Sequence, residues 1–166
     1  MATILNGLVQ GVLLVFFAIL PIGERPQAQV PFAEIHDWNS LRITLSRGAC
    51  YGRCPIYEIA IHGDGTVLYD GRDYVRTKGK KTLQISHASL VQLVDIFRKV
   101  DYFSLADRYV SGVTDNPTYV TSISFDGVSK SVVDYVGRKA GMPPGVSDVE
   151  AAIDRLSGAS QWIGGK

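Results

Sequence analysis

Two stretches of the chain, residues 41–85 and 119–135, carry apolar side chains at every second position, the period of strands with one buried face. Leu41, Ile43 and Leu45 alternate with Arg42, Thr44 and Ser46. Tyr57, Ile59 and Ile61 alternate with Glu58, Ala60 and His62. His62-Gly63-Asp64-Gly65 then signals a hairpin turn, because Gly and Asp tolerate positive φ, and Thr66–Tyr69 reads as the returning strand. Asp70-Gly71 signals another turn, Tyr74–Arg76 a further strand, Lys78–Lys81 a loop tip, and Thr82–Ile85 a continuation of the sheet. Further on, Tyr119, Thr121, Ile123 and Phe125 alternate, Asp126-Gly127 turns the chain, and Ser131, Val133 and Tyr135 alternate again, which gives a second hairpin.

Between and after these stretches the period changes to that of a helix. Ser86 is placed to cap one, and Leu90, Leu93, Val94 and Phe97 form its apolar stripe, which ends near Val100. Residues 110–118 and 137–145 read as loops. Ser147-Asp148-Val149-Glu150 matches a capping box, and Val149, Ala152, Ile153 and Leu156 form the stripe of a last helix closed by Gly158. No strand–helix–strand unit of the parallel kind repeats. The expected fold is α+β: an antiparallel sheet built from hairpins with two helices packed on one face, preceded by an N-terminal hydrophobic helix. The other sheet face is expected to be wet or a binding surface.

That N-terminal segment holds no charged side chain before Glu24, and Gly11–Ile22 is almost purely apolar. An apolar core of this length fits a secretory signal peptide with cleavage near Ala28. Taken from Ile4 to Ile22, the run just reaches the length of a single membrane span. The expected organisation is residues 1–28 as signal peptide or membrane anchor, 29–39 as linker, and 40–166 as one domain. Both N-terminal readings place the domain outside the cytoplasm: periplasmic, secreted, or anchored to the membrane by residues 4–22.

With 166 residues, one domain of ordinary size is expected. Lys and Arg number 17 against 16 Asp and Glu, a net charge of +1, so no nucleic-acid partner is expected. Two cysteines are too few for a disulfide-built miniprotein or a four-cysteine zinc site. Cys50 and Cys54 are expected to pair across the turn that Gly52 permits, since an exported chain meets oxidising conditions. A redox-active pair, a metal site with His62 and His87, and free buried thiols are the competing readings. No Gly-x-Ser-x-Gly elbow or phosphate loop is present. An enzyme is therefore not the favoured class, and no catalytic residue, metal or cofactor is expected. The expected function is a non-enzymatic binding or interaction module; the alternatives are a thiol-redox protein using Cys50 and Cys54 and a small protease-inhibitor-like domain. Its candidate surface is Arg47, Tyr51, Arg53, Tyr57, the basic tip Lys78, Lys80 and Lys81, and Asp115, because Tyr and Arg combine large contact area with a polar end. Asp115, Lys130 and Asp134 are expected to pair with Arg47 or Arg53 and tie the hairpins together. The expected partner is a protein or envelope component, with the membrane reached only through the N-terminal segment.

The stretch Arg47 to Tyr57, with its Cys50-x-Gly52-x-Cys54-Pro55-x-Tyr57 core, resembles a bacterial family of uncharacterised domains, domain-of-unknown-function family 6438. Thr114-Asp115-x-Pro117, Thr121-Ser122-Ile123, Lys130, Asp134-Tyr135-x-Gly137 and Val149-Glu150-x-x-Ile153-Asp154 extend the resemblance over residues 41–162. The segment Arg138–Pro143 is more basic than that pattern. The resemblance implies a small exported domain and assigns no catalytic residue. The order of elements after Val100-Asp101-Tyr102-Phe103 also resembles emfourin, a small inhibitor of thermolysin-like metalloproteases, although emfourin lacks the Cys-x-x-x-Cys turn. That likeness implies a fold and a kind of partner, namely a protease. Intact mass, with alkylation before and after reduction, tests the export reading. A cleaved chain lacks about its first 28 residues and takes up alkylating agent only after reduction, whereas thiols already free count against export.

Overall fold

The structure, a computed structural model, describes residues 32–164. The N-terminal segment 1–28, expected as signal peptide or anchor, lies outside the described residues. Among the described residues no helix is long and apolar enough to cross a membrane.

Seven strands form one mixed sheet: β1 (Arg42–Arg47), β2 (Ile56–His62), β3 (Thr66–Asp73), β4 (Gly79–Gln84), β5 (Arg108–Val110), β6 (Tyr119–Phe125) and β7 (Val128–Tyr135), in the order β4-β3-β2-β1-β6-β7-β5. Helices α1 (His87–Lys99) and α2 (Pro144–Leu156) pack on one face, and a short α3 (Ser160–Ile163) follows. The α+β expectation holds, with two changes. The sheet is not purely antiparallel, because β5 runs parallel to β7 at the outer edge. β5 is three residues long, too short to leave a period in the sequence. The third helix was also not anticipated.

Cross-strand register arranges the covered face in rows. Val67, Ile61, Ile43 and Ile123 form one row and Tyr69, Ile59, Leu45, Thr121 and Val132 the next. All are buried, together with Leu90, Leu93, Val94 and Phe97 from α1 and Val146, Val149, Ala152 and Ile153 from α2. The α1 stripe is the one expected, and Ser86 caps the helix by accepting the Ser89 amide. Burying this set is the main force holding the sheet to the helices.

Other local expectations gave way to tertiary context. Asp70-Gly71 does not turn the chain; both lie inside β3, with Gly71 registered against Tyr57 and Gly79. The turn comes at Tyr74, whose φ is +51°. Lys80 and Lys81 therefore sit on the edge strand β4 rather than on a loop tip, where lysines discourage pairing with another sheet. On β7 the inward residues are Val132 and Asp134, the opposite phase from the one expected. Helix α2 starts at Pro144, so Ser147 lies inside it and caps nothing. Residues expected as linker pack on the domain. Ile35 is buried, and Phe32 stacks on Phe125 with ring centroids 5.4 Å apart. The Asp126 carboxylate, in the β6–β7 turn, accepts the His36 and Asp37 amides at 2.7 and 3.1 Å. Its pKa is lowered chiefly by the bond from the His36 amide.

Phe97 is fully buried and meets Tyr102 edge-on at 4.7 Å. Phe97→Ala is expected to cost about 3–5 kcal/mol in urea unfolding, against less than about 0.5 kcal/mol for Leu68→Ala on the uncovered face.

Candidate functional site

The third row on the covered face is polar. Register sets Tyr57 of β2 beside Arg47 of β1, Arg47 beside Tyr119 of β6, and Tyr119 beside Asp134 of β7. Directly paired residues point to the same side, so the row continues the core at one end of the sheet. Glu150 and Asp154, one helical turn apart on α2, lie over it. Tyr57 donates its hydroxyl to Asp154, 2.9 Å from either carboxylate oxygen. The Arg47 guanidinium lies 4.8 Å from the centre of the Tyr119 ring, and its Nε is buried without a hydrogen-bond partner. Asp134 accepts the Gly137 amide at 2.6 Å. A Cβ at Gly137 would come within 2.8 Å of that same carboxylate oxygen, so the close approach requires glycine. The preceding Val136 is held at φ +52°, a conformation that costs a β-branched residue energy and that the surrounding packing maintains.

The electrostatics follow from this crowding. Burial, then the neighbouring Asp134, pushes the Glu150 carboxyl up to about 8. Burial raises Asp154 to about 6, opposed by its hydrogen bond from Tyr57 and by Arg47. Burial and Asp154 together drive the Tyr57 hydroxyl upward. Near neutral pH, Glu150 is mostly protonated and Asp154 mostly ionised.

The disulfide loop sits at the open end of the row. Cys50 and Cys54 are bonded, with Cα atoms 5.8 Å apart. The bridge closes the Gly48–Pro55 connection between β1 and β2, whose last and second residues are Arg47 and Tyr57. A ring this small stabilises by roughly 2 kcal/mol at most, so its main effect is on local shape. The loop leans on residues 115–118 through Tyr51 N donating to the Asp115 carbonyl at 3.2 Å and Gly48 N donating to the Thr118 carbonyl at 2.8 Å. Tyr51 projects from it and is 89% exposed.

Beside the loop is a concavity of about 740 Å³, lined by Arg47, Arg53, Pro55, Tyr74, Arg76 and Asp154 together with the α3 segment. Its far wall is held by Arg76 N and Thr77 N donating to the Ile163 and Trp162 carbonyls at 3.3 and 2.9 Å.

The residues expected at the surface thus divide. Arg47, Tyr51 and Arg53 belong to this end of the molecule. Tyr57 does not face solvent; it is 1% exposed and acts from below, through Asp154. Lys78 pairs with Asp73 at 2.6 Å, and Lys80 and Lys81 border a separate groove of about 410 Å³ on the uncovered sheet face. Asp115 offers its carbonyl to the loop, and its carboxylate accepts the neighbouring Thr114 hydroxyl at 3.0 Å. Among the described residues the expected pairings with Arg47 and Arg53 are not seen: Lys130 binds Asp107 and the Leu105 carbonyl, and Asp134 accepts the Gly137 amide. Sequence reasoning missed Glu150 and Asp154 as site residues, and it grouped Arg76 with the basic tip rather than with Arg47 and Arg53. Glu150 and Asp154 stand four apart on the buried side of α2, which is a legible signal, but the capping-box reading absorbed Glu150.

The cluster combines carboxyls that burial holds toward protonation with the positive charge of Arg47. Ser160 donates its hydroxyl to the Asp154 carbonyl at 2.8 Å. His36, His62 and His87 all lie elsewhere, the last against Trp38 at 4.6 Å. Among the described residues no group of three or more His, Cys, Asp or Glu is arranged to hold a metal ion. Fold and site together define a small disulfide-clipped α+β domain with a charged, partly buried polar row at one end. The family model for a domain of unknown function (DUF6438) matches residues 41–157, and the chain belongs to that family. No curated protein matches the chain.

Between about pH 5 and 8 the folded state binds more protons at Glu150 and Asp154 than the unfolded chain does, so stability is expected to fall as pH rises through this window. Glu150→Gln removes the Glu150 part of the slope. Thermal melts are expected to show the variant gaining on the wild type between pH 5 and pH 8 by at least about 4 °C, roughly what 1 kcal/mol produces in a domain of this size.

Proposed function

We propose that this protein is a non-enzymatic binding module that works outside the cytoplasm and engages a protein partner with the disulfide-locked rim and the concavity beside it. The observation that carries the reading is the Tyr51–Arg53 tip: a largely exposed aromatic and an arginine on a covalently closed ring, at the mouth of an arginine-walled hollow. A rigid aromatic anchor loses little conformational freedom on contact, which favours its use at an interface. The volume of the hollow lies within the range of ligand sites. The apolar run 4–22 and the disulfide both support an extracytoplasmic location, where the bridge persists.

Photocrosslinking tests this reading in the native host. A benzophenone amino acid in place of Tyr51 is expected to give discrete protein adducts that weaken in the Arg53→Ala background. The same group in place of Leu68, on the uncovered sheet face, is expected to give none. Adducts of equal strength from both positions, or none from Tyr51, would remove the rim as the contact surface.

A further inference from the structure

We infer that the hollow walled by Arg47, Arg53 and Arg76 is a carboxylate-binding pocket, taking an acidic side chain of the partner. The inference rests on the binding-module reading, whose rim borders the same hollow.

Arg47, Arg53 and Arg76 line this space, and among the described residues none of them takes part in an ion pair. The ion pairs are instead Arg72–Glu58, Lys78–Asp73, Arg98–Asp95 and Lys130–Asp107. Arg47 and Asp154 face the same space without coming within ion-pair distance of each other. The Arg47 Nε is buried and unpartnered, a donor whose hydrogen-bonding capacity goes unused. Among the described residues the Arg76 guanidinium makes only a long contact, to the Gln161 carbonyl at 3.4 Å. Within the lining, three positive charges against the one carboxylate of Asp154 leave an excess of two.

That arrangement selects among anions. A planar carboxylate matches the guanidinium fork with two parallel hydrogen bonds. It also brings a single negative charge next to Asp154, whereas a phosphate dianion brings more repulsion to the same place. The apolar side of the wall, Pro55 and Ile163, suits the methylene stem of a glutamate and excludes water from the ion pair.

The test uses the full-length chain in neutral detergent and a fluorescein-labelled tetraglutamate peptide, read by anisotropy. Tetraglutamate is expected to bind and its tetraglutamine counterpart not to. Arg53→Ala and Arg76→Ala should each weaken binding about tenfold, the effect of losing one charged hydrogen bond. The double variant Lys80→Ala/Lys81→Ala should leave it unchanged. The Nε–Hε resonance of Arg47 should shift during the titration, which non-specific surface attraction does not produce. Equal affinity in the arginine variants, or an equal loss in the lysine variant, overturns the pocket. Displacement of the peptide by inorganic phosphate at concentrations where free glutamate leaves it bound overturns the carboxylate assignment. Tyr51 adducts without tetraglutamate binding sink this inference and leave the module reading standing; tetraglutamate binding without Tyr51 adducts upholds the pocket and sinks the rim.

Discussion

A charged arginine at the end of a hydrophobic sheet must be compensated, and the compensation of Arg47 organises one half of this molecule. Its guanidinium extends the core rows of β1 at a level where the neighbouring strands offer Tyr57 and Tyr119. Neither tyrosine supplies a negative charge. The carboxylates come from above, on α2, and from Asp134 at the far end of the row. Burial of unlike charges is stabilising only when hydrogen bonds satisfy the remaining polar atoms. Here the satisfaction is uneven. Asp154 is held by Tyr57 and Asp134 by the Gly137 amide, while the Arg47 Nε is left without a partner. Glu150 takes up a proton more readily instead, so the cluster avoids holding three ionised carboxyls together.

The two ends of the sheet therefore differ in kind. Toward the β6–β7 turn the packing is aromatic and closed: Phe32, Phe103 and Phe125 meet with centroids 5.2–5.9 Å apart, and Asp126 fastens the entering chain. At the other end the core becomes polar and opens into a hollow whose rim is a five-residue covalent ring. The disulfide adds little to global stability, but it fixes the shape of the connection beyond the Arg47–Tyr57 pair, where the β1–β2 ladder ends. The closed, apolar end anchors the fold, and the open, charged end presents Arg47, Arg53 and Arg76 to the hollow.

Much of this was legible in the sequence. The inward phases of β1, β2 and β6, the α1 stripe with its Ser86 cap, both hairpins and the cysteine pair all rest on short-range rules, and each stands in the structure. The failures share one cause. Asp70-Gly71 is a turn signal in isolation, yet its residues are strand because β2 and β4 pair with it on both sides. Ser147 and Glu150 have the spacing of a cap, yet Pro144 can start the helix a turn earlier, which frees Glu150 to face the sheet. Asp134 looked like an outward residue because an inward carboxylate is unfavourable unless a partner waits, and the partners are a backbone amide three residues on and a protonated acid from a distant helix.

The sequence by itself determined the class of the fold, the strand and helix content of most of the chain, and the presence of a bridged turn, since each depends on contacts among near neighbours and on alternation along one strand. Only the tertiary structure decided that Arg47, Tyr57, Asp134, Glu150 and Asp154, spread over more than a hundred residues, form one cluster, and that Arg53 and Arg76 wall the hollow beside it. Strand order and the path of α2 across the sheet set those meetings. Both are fixed by which apolar faces can be buried together, a property of the whole chain that no local pattern records.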